Sequence, residues 1–427
     1  MAEASIVAHL VLSGTFMAFE EKSLYSEAMT KRSIAIYNYA AVHSGGDSSS
    51  ICSLLGRGQP PFTPLHPIDH KALVGRISGL DEDALARYTD SLKLLQRQDR
   101  VVRLGCYVAQ QTLSALSPTL LTKNRSVFAG TSRGATSTIE ESYEKFLSLG
   151  KVPVHTSPAT TFGCLASSIA QLNDITEDAS DFSATCTSGL AALRSGYLAV
   201  QSGSSNGSLI VGSEAPLTRF TLAQMEALGV TASNWELPFP CMPLSSFQTS
   251  GTGMVLGEGA AAVFLAPLEC SSNEMKPKAL LSAVESTTEP ITSPTGISDQ
   301  GKGIGRAMEL TINAAGGVRP ELILAHAPGT RLGDQSELNA IKRLFGMEAP
   351  PVYSAKWALG HTFGAAGLLS AALALELLNG AELPKLPYDS EQNEKLPLPG
   401  RELNHILINT IGFGGYCSSA LLSRFDG

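Results

Sequence analysis

Charge is scarce in this chain. Only 16% of its 427 residues are Asp, Glu, Lys or Arg, and the formal net charge is -8. A globular chain usually carries about 25% charged residues, and a protein that grips phosphate backbones shows a basic face. No nucleic-acid partner is therefore expected, and a hydrophobic content of 43% excludes a disordered or low-complexity chain. Long apolar runs are missing too: none reaches the ~18 residues of a membrane span. The closest, LLSAALALELL at 368–378, carries Glu376 and reads as a buried helix. The seven cysteines show no CxxC spacing, which fits neither a zinc site nor a disulfide framework and favours a reducing, cytoplasmic setting. HExxH, P-loop and EF-hand patterns are absent, and GKGIG and GTGMVLGEG lack dinucleotide spacing, so no metal or nucleotide cofactor is expected.

The first residues differ from the rest. An apolar stretch near the start is preceded by Glu3 and by no Lys or Arg, the reverse of a secretory signal. The chain begins afresh at Met29, where MTKRSIAIYNY leads into an alternating β-branched strand. Residues 1–28 are accordingly read as an N-terminal extension.

From Ser33 onward, strand-like apolar runs alternate with helical segments, the pattern of an α/β protein. Strands are expected at 124–130, 207–212, 254–266 with an interruption at GEG, 321–325 and 405–411, and helices at 99–115, 137–149, 188–202, 334–345 and 365–378. Two helices are alike: TSGLAALRSGYLAV (187–200) and FGAAGLLSAALALELL (363–378) both leave a Gly-rich turn and are dominated by Ala and Leu. A helix apolar all round is buried on all sides. One such helix in each half suggests a duplicated architecture, with 29–266 as one half, 267–427 as the other, and a polar seam near 266–280.

Several residues stand where chemistry is possible. Cys186 lies at the mouth of the first small-residue helix, where unpaired N–H groups and a positive dipole end stabilise a thiolate; the alternative is a buried structural cysteine. His326 follows the buried strand ELILA, at the strand end where α/β ligands bind. His361 stands just ahead of the second small-residue helix, in KWALGHTFGAAG. Either histidine is open to a purely structural reading. Phe413 sits between glycines after the last expected strand. A rival is Gly130-Thr-Ser132-Arg-Gly134, which matches the G-x-S-x-G elbow of a hydrolase, with Asp334 and His361 as formal partners.

Six motifs in order resemble the β-ketoacyl synthases of the thiolase superfamily: CTSGLAAL, VGSEAPLT, VLGEGAAAVFL, HAPGTRLGDQSE, KWALGHTFGAAG and NTIGFGG. The resemblance runs from about Met29 to the end. It implies a thiolase-like, five-layered αβαβα fold of two similar halves. It also implies a decarboxylative Claisen condensation between an acyl group on Cys186 and a malonyl thioester. Catalysis would fall to Cys186, His326 and His361, with Lys356 and Glu337 orienting the histidines. The backbone N–H groups of Cys186 and Phe413 would form the oxyanion hole, Phe413 would gate the site, and Thr330 would bind pantetheine. Substrates would ride on the phosphopantetheine of an acyl carrier protein, with no further cofactor. The chain would work as a homodimer, or as a heterodimer with a chain-length-factor-like homologue.

The sequence also departs from the family pattern. Ala184-Thr185 reverses the usual Thr-Ala before the cysteine. Pro328 replaces the first of two pantetheine-binding threonines, and it has neither hydroxyl nor N–H. The segment from Cys241 to Ser250 lacks the usual Phe-Asp and Arg-Asp pairs, and Tyr37-Asn-Tyr39-Ala-Ala replaces a Thr-Gly-x-Gly turn. The stretch SEAPLT…FTLAQMEALG is nearer to polyketide and aryl-polyene synthases than to fatty-acid elongation. The departures leave a second reading, in which the chain is the non-catalytic, chain-length-factor-like partner of a heterodimer.

Overall fold

Alternate residues of the strands feed two different cores. In the first strand Ile34 and Ile36 join one cluster of buried side chains, while Ala35 and Tyr37 join another. The same division separates Phe128 from Val127 and Ala129, and Ile210 from Leu209 and Val211. A sheet buried on both faces must read as a continuous apolar run rather than an in-out alternation, and these strands do.

The computed structural model describes residues 32–427 apart from 47–49, 66–71, 122–123, 248, 273–274, 291–292 and 294–295. The extension read at 1–28 lies outside the described residues. The strands of the large sheet, numbered along the chain, are β1 (Ile34–Val42), β2 (Arg125–Gly130), β3 (Ala179–Phe182), β4 (Gly207–Glu214) and β5 (Gly259–Pro267), then β6 (Ala279–Thr288), β7 (Leu322–Leu324), β8 (Val352–Tyr353), β9 (His405–Ile411) and β10 (Tyr416–Ser423). Their spatial order is β8-β7-β9-β10-β6-β1-β5-β4-β2-β3. The first five strands thus lie in the order 3-2-4-5-1, and the last five repeat it. Pairing directions repeat as well. The pairs β2–β3 and β2–β4 are parallel, like β7–β8 and β7–β9. The pairs β4–β5 and β5–β1 are antiparallel, like β9–β10 and β10–β6. The two sets meet along a short antiparallel contact, Ala35 opposite Leu280 and Ile36 opposite Ala279.

Helices complete the layers. The helices used below are α1 (Arg100–Ser114), α2 (Cys164–Leu172), α3 (Ser188–Ser202), α4 (Lys302–Ala314), α5 (Arg331–Phe345) and α6 (Ala366–Leu378). α1 packs on β1, β4, β5 and α2, covering the outer face of the first five strands, while α4 packs on β6, β10 and α5 beyond the other five. Between them, α3 and α6 touch each other and strands of both halves. The sequence of layers is helix, sheet, helix, sheet, helix. α6 buries every residue from Ala366 to Leu378 except Ser370, which is why it has almost no polar face.

The interruption expected at GEG within 254–266 is present: the run divides at Glu258, where Leu256–Gly257 pairs with Ala72–Gly75 in a separate three-stranded sheet and Gly259 onward forms β5. The Glu258 carboxylate explains the break, because it turns to accept from Ile77 N–H at 3.0 Å and from Arg100 at 2.8 Å. The tail after Phe413 forms the full strand β10 rather than only a turn.

Glu376 shows how an apolar helix tolerates a carboxylate. It accepts hydrogen bonds from Ser50 Oγ, Ile51 N–H and Cys52 N–H, each at 2.8 Å, and so caps the helix Ile51–Gly56. Glu376→Ala removes this acceptor, and the expected loss is about 2–4 kcal/mol of stability. A urea unfolding midpoint close to that of the unmodified chain would contradict this account.

Candidate active site

The site forms where the two central helices begin. Gly189, in the first turn of α3, has no Cβ, and one placed there would stand 2.7 Å from the Gly364 carbonyl. This approach sets the Cys186 turn against the turn that follows His361. Cys186, His326 and His361 each present a ligand or acid–base atom, and these atoms lie within 4.8 Å of one another. The His326 and His361 rings meet edge to face at a centroid distance of 5.1 Å, and Phe363 stacks on His361. Cys186, His326, His361, Phe413, Thr330 and Pro328 all border one narrow cavity of about 60 Å³.

The His326 peptide is held from both ends. The Glu337 carboxylate, fully buried on α5, accepts from His326 N–H at 3.1 Å and Ala327 N–H at 2.9 Å, and Asn409 Nδ2 adds a third bond at 3.0 Å. The Lys356 ammonium donates to the His326 carbonyl oxygen. Lys356 and Glu337 therefore act on the backbone of His326 rather than on its ring. Asp334, also on α5, accepts from Leu244 N–H at 2.9 Å and Gly329 N–H at 3.0 Å, tying the segment after Cys241 to the His326 loop.

Electrostatics fix the protonation states. Burial holds both imidazoles well below the usual histidine range, and the nearby Lys356 charge lowers them further. His361 is thus neutral. Its Nδ1 accepts from Phe363 N–H at 3.2 Å, which places the ring proton on Nε2 and makes that atom a donor. His326 Nδ1 is buried and has no hydrogen-bond partner among the described residues. Burial pushes the Cys186 thiol up to about 12, with Lys356 pulling it down and Glu214 opposing Lys356. This differs from the expectation of a resting thiolate: α3 begins two residues after Cys186, and removal from water disfavours the charged form.

The hydrolase triad does not assemble. His361 Nδ1 faces its own backbone rather than Asp334, and Asp334 is committed to Leu244 and Gly329. Ser132 N–H donates to Glu214 at 2.7 Å, and Ser132 does not border the cavity.

Sequence reasoning missed Glu214. This residue ends β4 with 0% exposure, and its carboxylate accepts from Thr131 Oγ1, Ser132 N–H, Arg133 N–H and Gly364 N–H at 2.7–3.2 Å. It fastens the loop after β2 to the turn after His361. Burial raises its carboxyl to about 7 against those four donors. The glutamate in VGSEAP was visible, but its partners are distant in sequence.

The family models match in order along the chain. Residues 67–270 match the beta-ketoacyl synthase N-terminal domain, and residues 279–387 match the C-terminal domain. The chain belongs to the β-ketoacyl synthases, a family of condensing acyltransferases. It is 27% identical to the tetracenomycin polyketide synthase ketoacyl synthase alpha subunit of Streptomyces glaucescens, over 89% of this chain and 94% of that one. Two solved structures share its fold. One is a type II PKS acyl-carrier protein in complex with its ketosynthase bound to the hexaketide (TM-score 0.79, 18% identity, 93% of this chain and 100% of the other). The other is a ketosynthase in complex with its chain length factor from Xenorhabdus doucetiae (TM-score 0.74, 20% identity, 92% and 98%).

Two measurements test the electrostatic account. With its thiol at about 12, Cys186 should be alkylated by iodoacetamide about tenfold faster per pH unit from about pH 7 to pH 10, because only the thiolate reacts. A plateau below pH 8 would overturn this. Glu214→Gln turns an amide NH₂ toward N–H donors and should lower stability by about 2–4 kcal/mol, read as a fall in melting temperature.

Proposed function

We propose that this chain catalyses the decarboxylative condensation of an acyl group, carried on Cys186, with a malonyl thioester presented by an acyl carrier protein. The observation that carries this reading is the convergence of one thiol and two neutral imidazoles within 4.8 Å, inside a cavity bordered by apolar side chains. In the first half-reaction the Cys186 sulfur takes the acyl group from the carrier thioester, and the thiol proton leaves with the pantetheine sulfur. The N–H groups of Cys186 and Phe413 hold the oxyanion. In the second, the malonyl carboxylate departs as carbon dioxide and its bonding electrons form an enolate. His361 Nε2–H and the His326 ring donate to the enolate oxygen. The carbanion attacks the acyl-cysteine, the C–S bond breaks with its electrons on the Cys186 sulfur, which takes a proton from solvent to regenerate the thiol, and a 3-oxoacyl chain two carbons longer leaves on the carrier.

Neutral imidazoles are compatible with this assignment, since each still carries one N–H to donate to a developing oxyanion. His326 borders the cavity, and its buried Nδ1 has no hydrogen-bond partner among the described residues, which leaves a polar atom for a bound molecule or water to satisfy. Thr330, bordering the cavity, is the hydroxyl offered to the pantetheine amide, while Pro328 offers none. Room for an acyl chain is supported by a second cavity of about 520 Å³, which shares the Met254 wall with the first.

A second subunit of the same fold completes the assembly, either a copy of this chain or a chain-length-factor-like homologue. Its support is an apolar face: Ile139, Tyr143, Phe146, Leu147 and Leu149 of the helix Thr136–Leu149 are 45–71% exposed. Nearby in the topology, β3 ends the sheet as an edge strand. Exposed apolar patches and open edges mark association surfaces. No helix among the described residues is long and apolar enough to cross a membrane.

The test is intact-mass and peptide-mass analysis with acyl carrier thioesters, followed by malonyl carrier protein. An acyl adduct on the Cys186 peptide, discharged as a longer 3-oxo product, is expected, and Cys186→Ala should abolish both. A Cys186→Ala chain that still elongates would overturn the proposal. Turnover only after a homologous second chain is added identifies the heterodimer. No adduct in the presence of that second chain assigns this chain the non-catalytic role.

A further inference from the structure

Thr185, immediately before Cys186, has an unusual backbone. Its φ is +52°, in the left-handed region that β-branched residues avoid. Such strain persists only where the surroundings hold it in place, and it gathers at functional turns. Here the side chain faces the other oxyanion element. Thr185 Oγ1 donates to the Phe413 carbonyl at 3.3 Å. It also fills the space beside Gly412, where a Cβ would stand 1.9 Å from that oxygen. Glycine at 412 is therefore required by the threonine hydroxyl.

The turn that Thr185 reaches has few other restraints on this side. Gly412 N–H closes it by donating to Tyr416 O at 2.8 Å, and Glu289 N–H holds Gly415 O from the far side at 2.8 Å. Between these ties, Gly414 (φ +89°) and Gly415 (φ +81°) take left-handed conformations that glycine adopts readily. The Thr185 hydroxyl is the bond that joins the nucleophile's turn to Phe413.

We infer that Thr185 is a positioning residue: its hydroxyl latches the Phe413 turn to the turn carrying Cys186, so that the two N–H groups assigned to the oxyanion move as one unit. This rests on the condensing reading above. The reversed Ala184-Thr185 order then has a use, because the small residue common before the cysteine in the family could make no such bond. In exchange the chain accepts a β-branched residue at positive φ.

Three variants separate the hydroxyl from the shape. Thr185→Val keeps the branching and the volume but removes the donor, Thr185→Ser keeps the donor without the methyl, and Thr185→Ala lacks both. Amide hydrogen exchange of the peptide spanning 411–416 reads the latch directly. Exchange there should quicken about tenfold in Thr185→Val and Thr185→Ala and stay near the parent rate in Thr185→Ser. Condensation kcat should fall about 10- to 100-fold in Thr185→Val, with carrier-protein KM little changed, and return in Thr185→Ser. The inference is overturned if Thr185→Val exchanges and turns over like the parent, or if Thr185→Ser is as impaired as Thr185→Val. A parent chain with no condensing activity sinks the functional reading alone, since the exchange comparison still tests the latch. Should Thr185→Val fold poorly, the Thr185→Ala and Thr185→Ser pair makes the same distinction.

Discussion

The approach of two backbones at Gly189 and Gly364 is the contact on which the rest depends. Two helices buried between two sheets can converge at their N-termini only if neither presents a side chain there. That approach brings the turn of Cys186, from the first half, against the turn of His361, from the second. Glu214 then ties the loop after β2 to Gly364 N–H, so the junction is held by a carboxylate as well as by packing. The duplicated strand order has a chemical consequence: each half contributes one central helix, and the pocket lies where their N-terminal turns face one another.

Burial sets the character of the groups in that pocket. A thiol and two imidazoles removed from water adopt their neutral forms, and the nearby ammonium of Lys356 depresses the imidazoles further while favouring the thiolate. Lys356 is buried as well, and burial lowers its own ammonium against the pull of Glu337. A site of neutral donors suits chemistry in which negative charge appears briefly on a carbonyl oxygen, because such donors need no reorganisation when the charge arrives. Lys356 and Glu337 hold His326 by its peptide, and the residue borders the cavity.

The departures at Thr185, at Pro328 and after Cys241 lie near this centre, while Tyr37-Asn-Tyr39 lies in β1. Pro328 borders the cavity without offering a hydroxyl, and Thr185 adds one where none is usual. The segment after Cys241 lacks charged pairs, yet it is fastened by Asp334 through Leu244 N–H and by Ser390 through the Leu244 carbonyl at 2.6 Å.

The sequence determined a good deal unaided. Continuous apolar runs such as GSLIVG fixed strands buried on both faces, and two Ala- and Leu-rich helices after Gly-rich turns revealed the central layer, because such segments have no polar face to give to water. The order of six motifs picked out Cys186, His326, His361, Lys356, Glu337, Thr330 and Phe413. Short strands such as Val352–Tyr353 and Ala179–Phe182 were not legible, since two to four residues carry no periodicity and their pairing is settled by neighbours. Tertiary structure alone decided that the Cys186 thiol rests protonated, that Asp334 and Ser132 stand apart from His361, and that Glu214 and Thr185 bind partners up to 228 residues away. Those outcomes depend on removal from water and on contacts between distant backbones, and neither quantity is written in local sequence.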